Sequence, residues 1–99
     1  MAIETFTIDV SDAVIEDLRD RIGRTRWPDE VPGVGWSQGT AEEYLRRLLA
    51  YWADGFDWHA AQAALNRHPQ YLVTVDGVAV HAVHERARHG TGVPIVLTQ

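Results

Sequence analysis

Polar and apolar residues alternate from Thr5 to Val10, with Phe6, Ile8 and Val10 set against Thr5, Thr7 and Asp9, which predicts a short, peripheral, half-buried strand. The period then changes. Behind Ser11, an N-cap residue with Asp12 in the first turn, Val14, Ile15, Leu18 and Ile22 recur at helical spacing and predict a helix to about Arg24. Gly23 and the Trp27-Pro28 pair stop it. Between Arg26 and Gly39, Pro28, Pro32, Gly33 and Gly35 stand at non-periodic positions with Trp27 and Trp36, the composition of a loop pinned by aromatic side chains. Thr40 and Glu43 have the spacing of a capping box, and Tyr44, Leu45, Leu48, Leu49 and Trp52 continue an amphipathic helix to about Asp54. Asp57 is placed to cap a third helix, Trp58 to about Asn66, whose Ala60, Ala61, Ala63 and Ala64 permit close approach of a neighbour before Pro69 ends the segment.

Beyond Pro69 the pattern is that of strands. Tyr71 to Val75 and Val78 to His84 flank Asp76-Gly77, the strongest short hairpin signal. A two-residue turn sets Val75 opposite Val78, Val73 opposite Val80 and Tyr71 opposite Ala82; these six share one face, which is the expected core. Glu85 to Gly92 reads as a polar loop. Val93 to Thr98, with Pro94, Ile95, Val96 and Leu97, is a continuous apolar run of the kind buried on both faces of a parallel sheet. Such a strand needs neighbours on both edges and cover on both faces. The expectation is that another chain completes the sheet or that these residues lead into a longer protein.

Length and charge narrow the functions available. The 99 residues suit one domain that buries about two-thirds of its unfolded surface, too little chain for an enzyme built round a large enclosed sheet. Apolar residues make up 45% and charged residues 23%, which is ordinary globular usage and predicts a packed core. The net charge is −5 and all nine cations are Arg, so nucleic acid is disfavoured as a partner. No cysteine is present, which removes disulfide, thiolate-nucleophile and thiolate-metal chemistry and leaves a cytoplasmic location the simplest. The longest apolar run, Leu48 to Ala53, is far short of the ~20 residues that span a bilayer. The acidic start is not that of a signal peptide. No membrane partner is expected.

Candidate chemistry is sparse. His81 and His84 are three apart on a predicted strand, where odd spacing puts them on opposite faces, so a shared metal is disfavoured. His81 reads as the cross-strand partner of Leu72 and His84 as a strand-end residue. His59, His68 and His89 read as surface residues without a matched carboxylate. Asp29-Glu30, Glu42-Glu43 and Asp54 with Asp57 are accounted for by turns, caps and solvation, since none lies in an apolar stretch that would raise its pKa. Ser11 and Ser37 lack a nucleophile-elbow setting, and Gly33-Val34-Gly35 is no phosphate loop, having neither a strand before it nor a Lys to reach a phosphate. No catalytic, cofactor or metal residue is expected. The aromatic residues, Trp27 with Pro28, Trp36, Tyr44, Trp52 and Trp58, are assigned to domain packing, some of them facing a partner domain.

Arg26-Trp27-Pro28-Asp29, Gly35-Trp36, Tyr44, the run Tyr51 to Trp58, Leu65-Asn66, Pro69-Gln70, Asp76-Gly77, His81 and His84-Glu85-Arg86 together resemble, in order and spacing, the N-terminal region of microsomal-type epoxide hydrolases. The resemblance covers nearly the whole chain. It implies an α+β fragment: a helical meander of about three helices with a Trp-rich loop over residues 1–69, then a β-hairpin and a further strand over 70–99 that begin an α/β-hydrolase sheet. In that family a His-Gly-Trp-Pro segment follows the third strand and helps form the oxyanion hole; Gln99 stands where its His would be, so Thr98 and Gln99 are expected beside that loop. The family's nucleophilic Asp, lid tyrosines and His with its carboxylate match no residue here. The implied reaction of the parent enzyme is alkylation of an Asp carboxylate by the epoxide carbon and hydrolysis of the ester to a vicinal diol, with no cofactor. The chain alone is then an inactive scaffold, whose partners are the α/β-hydrolase core and lid of the same enzyme. Taken by itself it is expected to leave residues 93–98 unpaired, or to associate or swap strands through them. The alternative from another class is a stand-alone, non-catalytic interaction module that binds a partner through its Trp-rich surface.

Overall fold

The computed structural model describes residues 1–98. The chain forms two compact units, one of Met1–Ile8 together with the chain from Ala60 onward, the other of Asp9–His59.

In the first unit a three-stranded antiparallel sheet has the order β1 (Ala2–Phe6), β2 (Gln70–Val75), β3 (Val78–Val83). The hairpin forms as the pattern predicts, with Val75 opposite Val78, Val73 opposite Val80 and Leu72 opposite His81. Asp76 and Gly77 have φ of 50° and 80°, so both turn residues occupy the left-handed region that a two-residue hairpin turn requires. The third strand comes from the N-terminus, not from the apolar run near residue 98. It also lies earlier than the alternation over Thr5 to Val10 predicts, because the ladder to β2 ends at Phe6 opposite Gln70, and the main chain of Ile8 is bonded by a side chain instead. Residues 93–98 join no ladder: Ile95 is 78% and Leu97 93% exposed. A strand exists only through its neighbour, and among the described residues none is offered to this run. Gln99 lies outside the described residues.

The face carrying Tyr71, Val73, Val75, Val78, Val80 and Ala82 is apolar as predicted but is not a closed core. Val78 is 62% and Val80 48% exposed, since no described element of this unit covers them. The buried sheet position is Gln70, on the opposite face.

In the second unit α1 (Asp12–Gly23) starts at Ser11, whose Oγ accepts from the Val14 N–H. Its inward face supplies Ile15, the one buried apolar side chain among the described residues. α2 (Glu42–Ala50) runs into a single π-helical turn, Tyr51–Gly55, closed by the Phe56 N–H on the Tyr51 carbonyl at 2.8 Å. A Cβ on Gly55 would lie 2.6 Å from the Tyr51 ring, so the turn needs glycine to let that ring lie flat against the backbone. α3 (Trp58–Leu65) begins directly after Asp57, as predicted; its first two residues belong to this unit and the rest, from Ala60, to the first. Exposed ion pairs one helical turn apart, Asp17 with Arg21, Asp20 with Arg24 and Glu42 with Arg46, line α1 and α2 and contribute a few tenths of a kcal/mol each.

The turn geometry makes a prediction. Gly77→Val places a β-branched residue at positive φ and should destabilise the chain by about 1–3 kcal/mol, read as a lower Tm in thermal unfolding; an unchanged Tm would mean that the hairpin turn is not held as described.

Candidate functional site

The residues assigned to packing gather into three places, all within Asp9–His59. Trp27 and Pro28 form one wall of a cleft of about 240 Å³ whose apolar side is completed by Val31, Val34 and Leu45. The Arg46 guanidinium lies over the Trp27 ring at 4.3 Å and also pairs with Glu42, so this cation is held from two sides. Trp36 stacks obliquely on Tyr44, with ring centroids 5.1 Å apart; Trp36 is 59% exposed. Trp52 and Trp58 border a recess of about 40 Å³ with Ile15, Leu18, Arg19 and Phe56. That recess is where α1 meets the π-helical turn.

Local chemistry explains the cleft. The Thr40–Glu43 capping box does not form: α2 starts at Glu42 behind Ala41, which has no side-chain cap. The Glu42 N–H instead donates to Glu30 Oε1 at 3.1 Å, so a carboxylate twelve residues upstream closes the helix N-terminus and ties the Trp27 loop to α2. Nothing in the local pattern marked Glu30 for this task, because a cap is ordinarily sought within the helix's own first turn.

The first unit contains a connected polar chain. The Asn66 amide bonds both main-chain groups of Ile8, receiving its N–H at 2.9 Å and donating to its carbonyl at 2.8 Å. Gln70 Nε2 donates to Asn66 Oδ1 and to the Leu65 carbonyl, both at 3.1 Å, and Gln70 Oε1 therefore accepts from His81 Nε2–H at 2.8 Å. The His81 ring meets Phe6 edge to face at 5.4 Å. His81 is thus paired with Leu72 in register, as predicted, and bonded to Gln70, which was not.

Two other histidines need correction. His59 pairs with Asp12 at 3.0 Å and His68 with Glu85 at 2.6 Å; both are exposed, as expected, yet both have a carboxylate that sequence spacing did not reveal. His84 donates its main-chain N–H to the Pro69 carbonyl just past β3. Thr98 is exposed and joins no strand. Among the described residues no three His, Asp or Glu side chains converge as a metal site requires, and no helix is long and apolar enough to cross a membrane. What the arrangement offers chemically is surface: an open apolar sheet face and exposed aromatic side chains.

Residues 3–99 match the family described as epoxide hydrolase N terminus. A protein of Stigmatella aurantiaca provisionally named an epoxide hydrolase is 41% identical over 96 residues, covering 97% of this chain and 22% of its own length. Epoxide hydrolase 1 of Oryctolagus cuniculus is 31% identical over 83 residues, covering 84% of this chain and 18% of its own. The crystal structure of juvenile hormone epoxide hydrolase from the silkworm Bombyx mori superposes with a TM-score of 0.81 at 27% identity, over 93% of this chain and 24% of that one. The chain therefore spans about a fifth of the length of the curated relatives it matches.

The Glu30 cap is open to direct measurement. Glu30→Ala should cost about 1 kcal/mol in urea unfolding, and Glu30→Gln, which keeps an oxygen acceptor, should recover most of it. Equal losses in the two variants would show that the contact at Glu42 is not what Glu30 supplies.

Proposed function

Because the chain belongs to the epoxide hydrolase N-terminus family, we propose that it is the scaffolding segment of an epoxide hydrolase, a surface onto which the catalytic core and lid of the same enzyme dock. The observation that carries this reading is the amount of uncovered surface. Much of it is apolar: the β2–β3 face with Val75, Val78 and Val80, and the run Val93 to Leu97.

The β3 edge adds to this. Val78–Val83 carries no Lys, no Pro and no charged residue, none of the features by which a sheet edge resists pairing. In the proposed enzyme, residues 93–98 become the next strand to be drawn into the sheet, Thr98 lies beside the oxyanion loop, and Trp27, Pro28, Trp36, Tyr44, Trp52 and Trp58 pack the meander within itself and against the neighbouring domain. In the 99-residue chain by itself the same open edge favours association between copies. The substrate class is a small-molecule epoxide, opened to a diol by groups other than those of this chain, and the setting is cytoplasmic.

The test uses the 41%-identical Stigmatella aurantiaca relative. Residues 3–98 of this chain replace the matching segment, and hydrolysis of a simple aryl epoxide such as styrene oxide is followed. The hybrid should turn over, the 99-residue chain alone should not, and Val80→Asp should abolish turnover in the hybrid while shifting the stability of the isolated chain by only about 0.5–1 kcal/mol, since Val80 is half exposed there. Turnover by the isolated chain, or a hybrid indifferent to Val80→Asp, would overturn the scaffold reading; the second result would favour a self-contained interaction module.

A further inference from the structure

β1 is held in an unusual way for a strand. Of its five residues only Phe6 is even half-buried, so burial of apolar surface contributes little to keeping it in place. What remains is the ladder to β2, the Phe6 ring against His81, and the Asn66 amide just beyond the strand's end. A primary amide carries the same donor and acceptor as a peptide group, and Asn66 uses both on Ile8 as a neighbouring strand would. Its orientation is set from behind, because Gln70 Nε2 donates to the same Oδ1 and Gln70 is itself buried and anchored to Leu65 and His81. Asn66 in turn sits at the end of α3, its N–H on the Gln62 carbonyl at 2.9 Å.

The position is singular in the topology. The first unit is left at Ile8 and re-entered at Ala60, so the whole of Asp9–His59 is an excursion whose departure point Asn66 holds down. The hairpin β2–β3 has closures of its own in the Asp76-Gly77 turn and the Gln70–His81 bond. We propose that β1 is a strap and Asn66 its latch: β1 docks and releases as a unit separate from the hairpin, and the two bonds between Asn66 and Ile8 decide how often it is released. Release uncovers the β2 edge, the other side of the sheet from the open β3 edge. This inference is independent of the epoxide hydrolase reading.

Amide hydrogen exchange on the full chain tests it. Asn66→Ala should speed exchange of the Ile8 amide and of the β1 amides bonded to β2 by about tenfold or more, while the cross-strand amides of β2–β3 stay within about twofold of the unmodified chain. Asn66→Asp keeps an acceptor for the Ile8 N–H but loses the donor to its carbonyl, and should fall between the two. Uniform acceleration of β1 and hairpin amides, or no change at Ile8, would overturn the proposal. Should Asn66→Ala fail to fold, exchange of the unmodified chain in rising denaturant decides the matter: β1 opening at lower denaturant than the hairpin supports the latch, and coincident opening removes it.

Discussion

Both main-chain polar groups of Ile8 are met by one side chain, the amide of Asn66, and that pair of hydrogen bonds ties the end of the first strand to α3. A buried or half-buried backbone must place its N–H and carbonyl somewhere. At Ile8 the ladder to β2 has already run out, since Phe6 faces Gln70, the first residue of its partner strand. Without a substitute partner the chain would leave the sheet frayed. Asn66 supplies one from 58 residues away, and Gln70 and His81 complete a chain of bonds in which each donor finds one acceptor. Such a network holds direction as well as position, because reversing any one amide would set like groups against each other.

The second unit is held by the same kind of economy. With Ile15 the one buried apolar side chain among the described residues, its helices depend on contacts made at their ends and edges. Ser11 caps α1, Glu30 caps α2 from across the loop, and Arg46 bridges Trp27 and Glu42. Each contributes about 1 kcal/mol or less, and none replaces the burial that a domain of this length ordinarily achieves. The half-buried positions Leu45, Leu49, Phe56 and Trp58 show where further cover belongs.

This shortage of burial is also the link to function. A segment that kept its apolar face to itself could not serve as a foundation for a larger body. Here the buried sheet position is polar, Gln70, while Val75, Val78, Val80 and Val83 are exposed, and residues 93–98 join no strand among the described residues. The chemistry of an epoxide hydrolase needs a nucleophile and a base brought together in a water-poor pocket. Among the described residues the carboxylates and histidines lie in exposed pairs such as His59 with Asp12 and His68 with Glu85.

Much of the fold was legible along the chain because it is set by short-range physics. The 3.6-residue period marked α1 and α2, Asp57 and the alanines behind it marked α3, Ser11 announced the start of α1, and Asp76-Gly77 fixed the hairpin register residue by residue through the handedness its turn demands. The apolar character of Val93 to Leu97 and of the β2–β3 face was equally plain. The links that give these elements their positions were not: Glu30 on the start of α2, His68 on Glu85, and Asn66 on Ile8 join residues 12, 17 and 58 apart. Sequence by itself determined which segments coil, turn or alternate, since those preferences act between near neighbours. Only the tertiary structure decided which strand closed the sheet and which face stayed open, because pairing and burial are properties of groups that meet in space and leave no period along the chain.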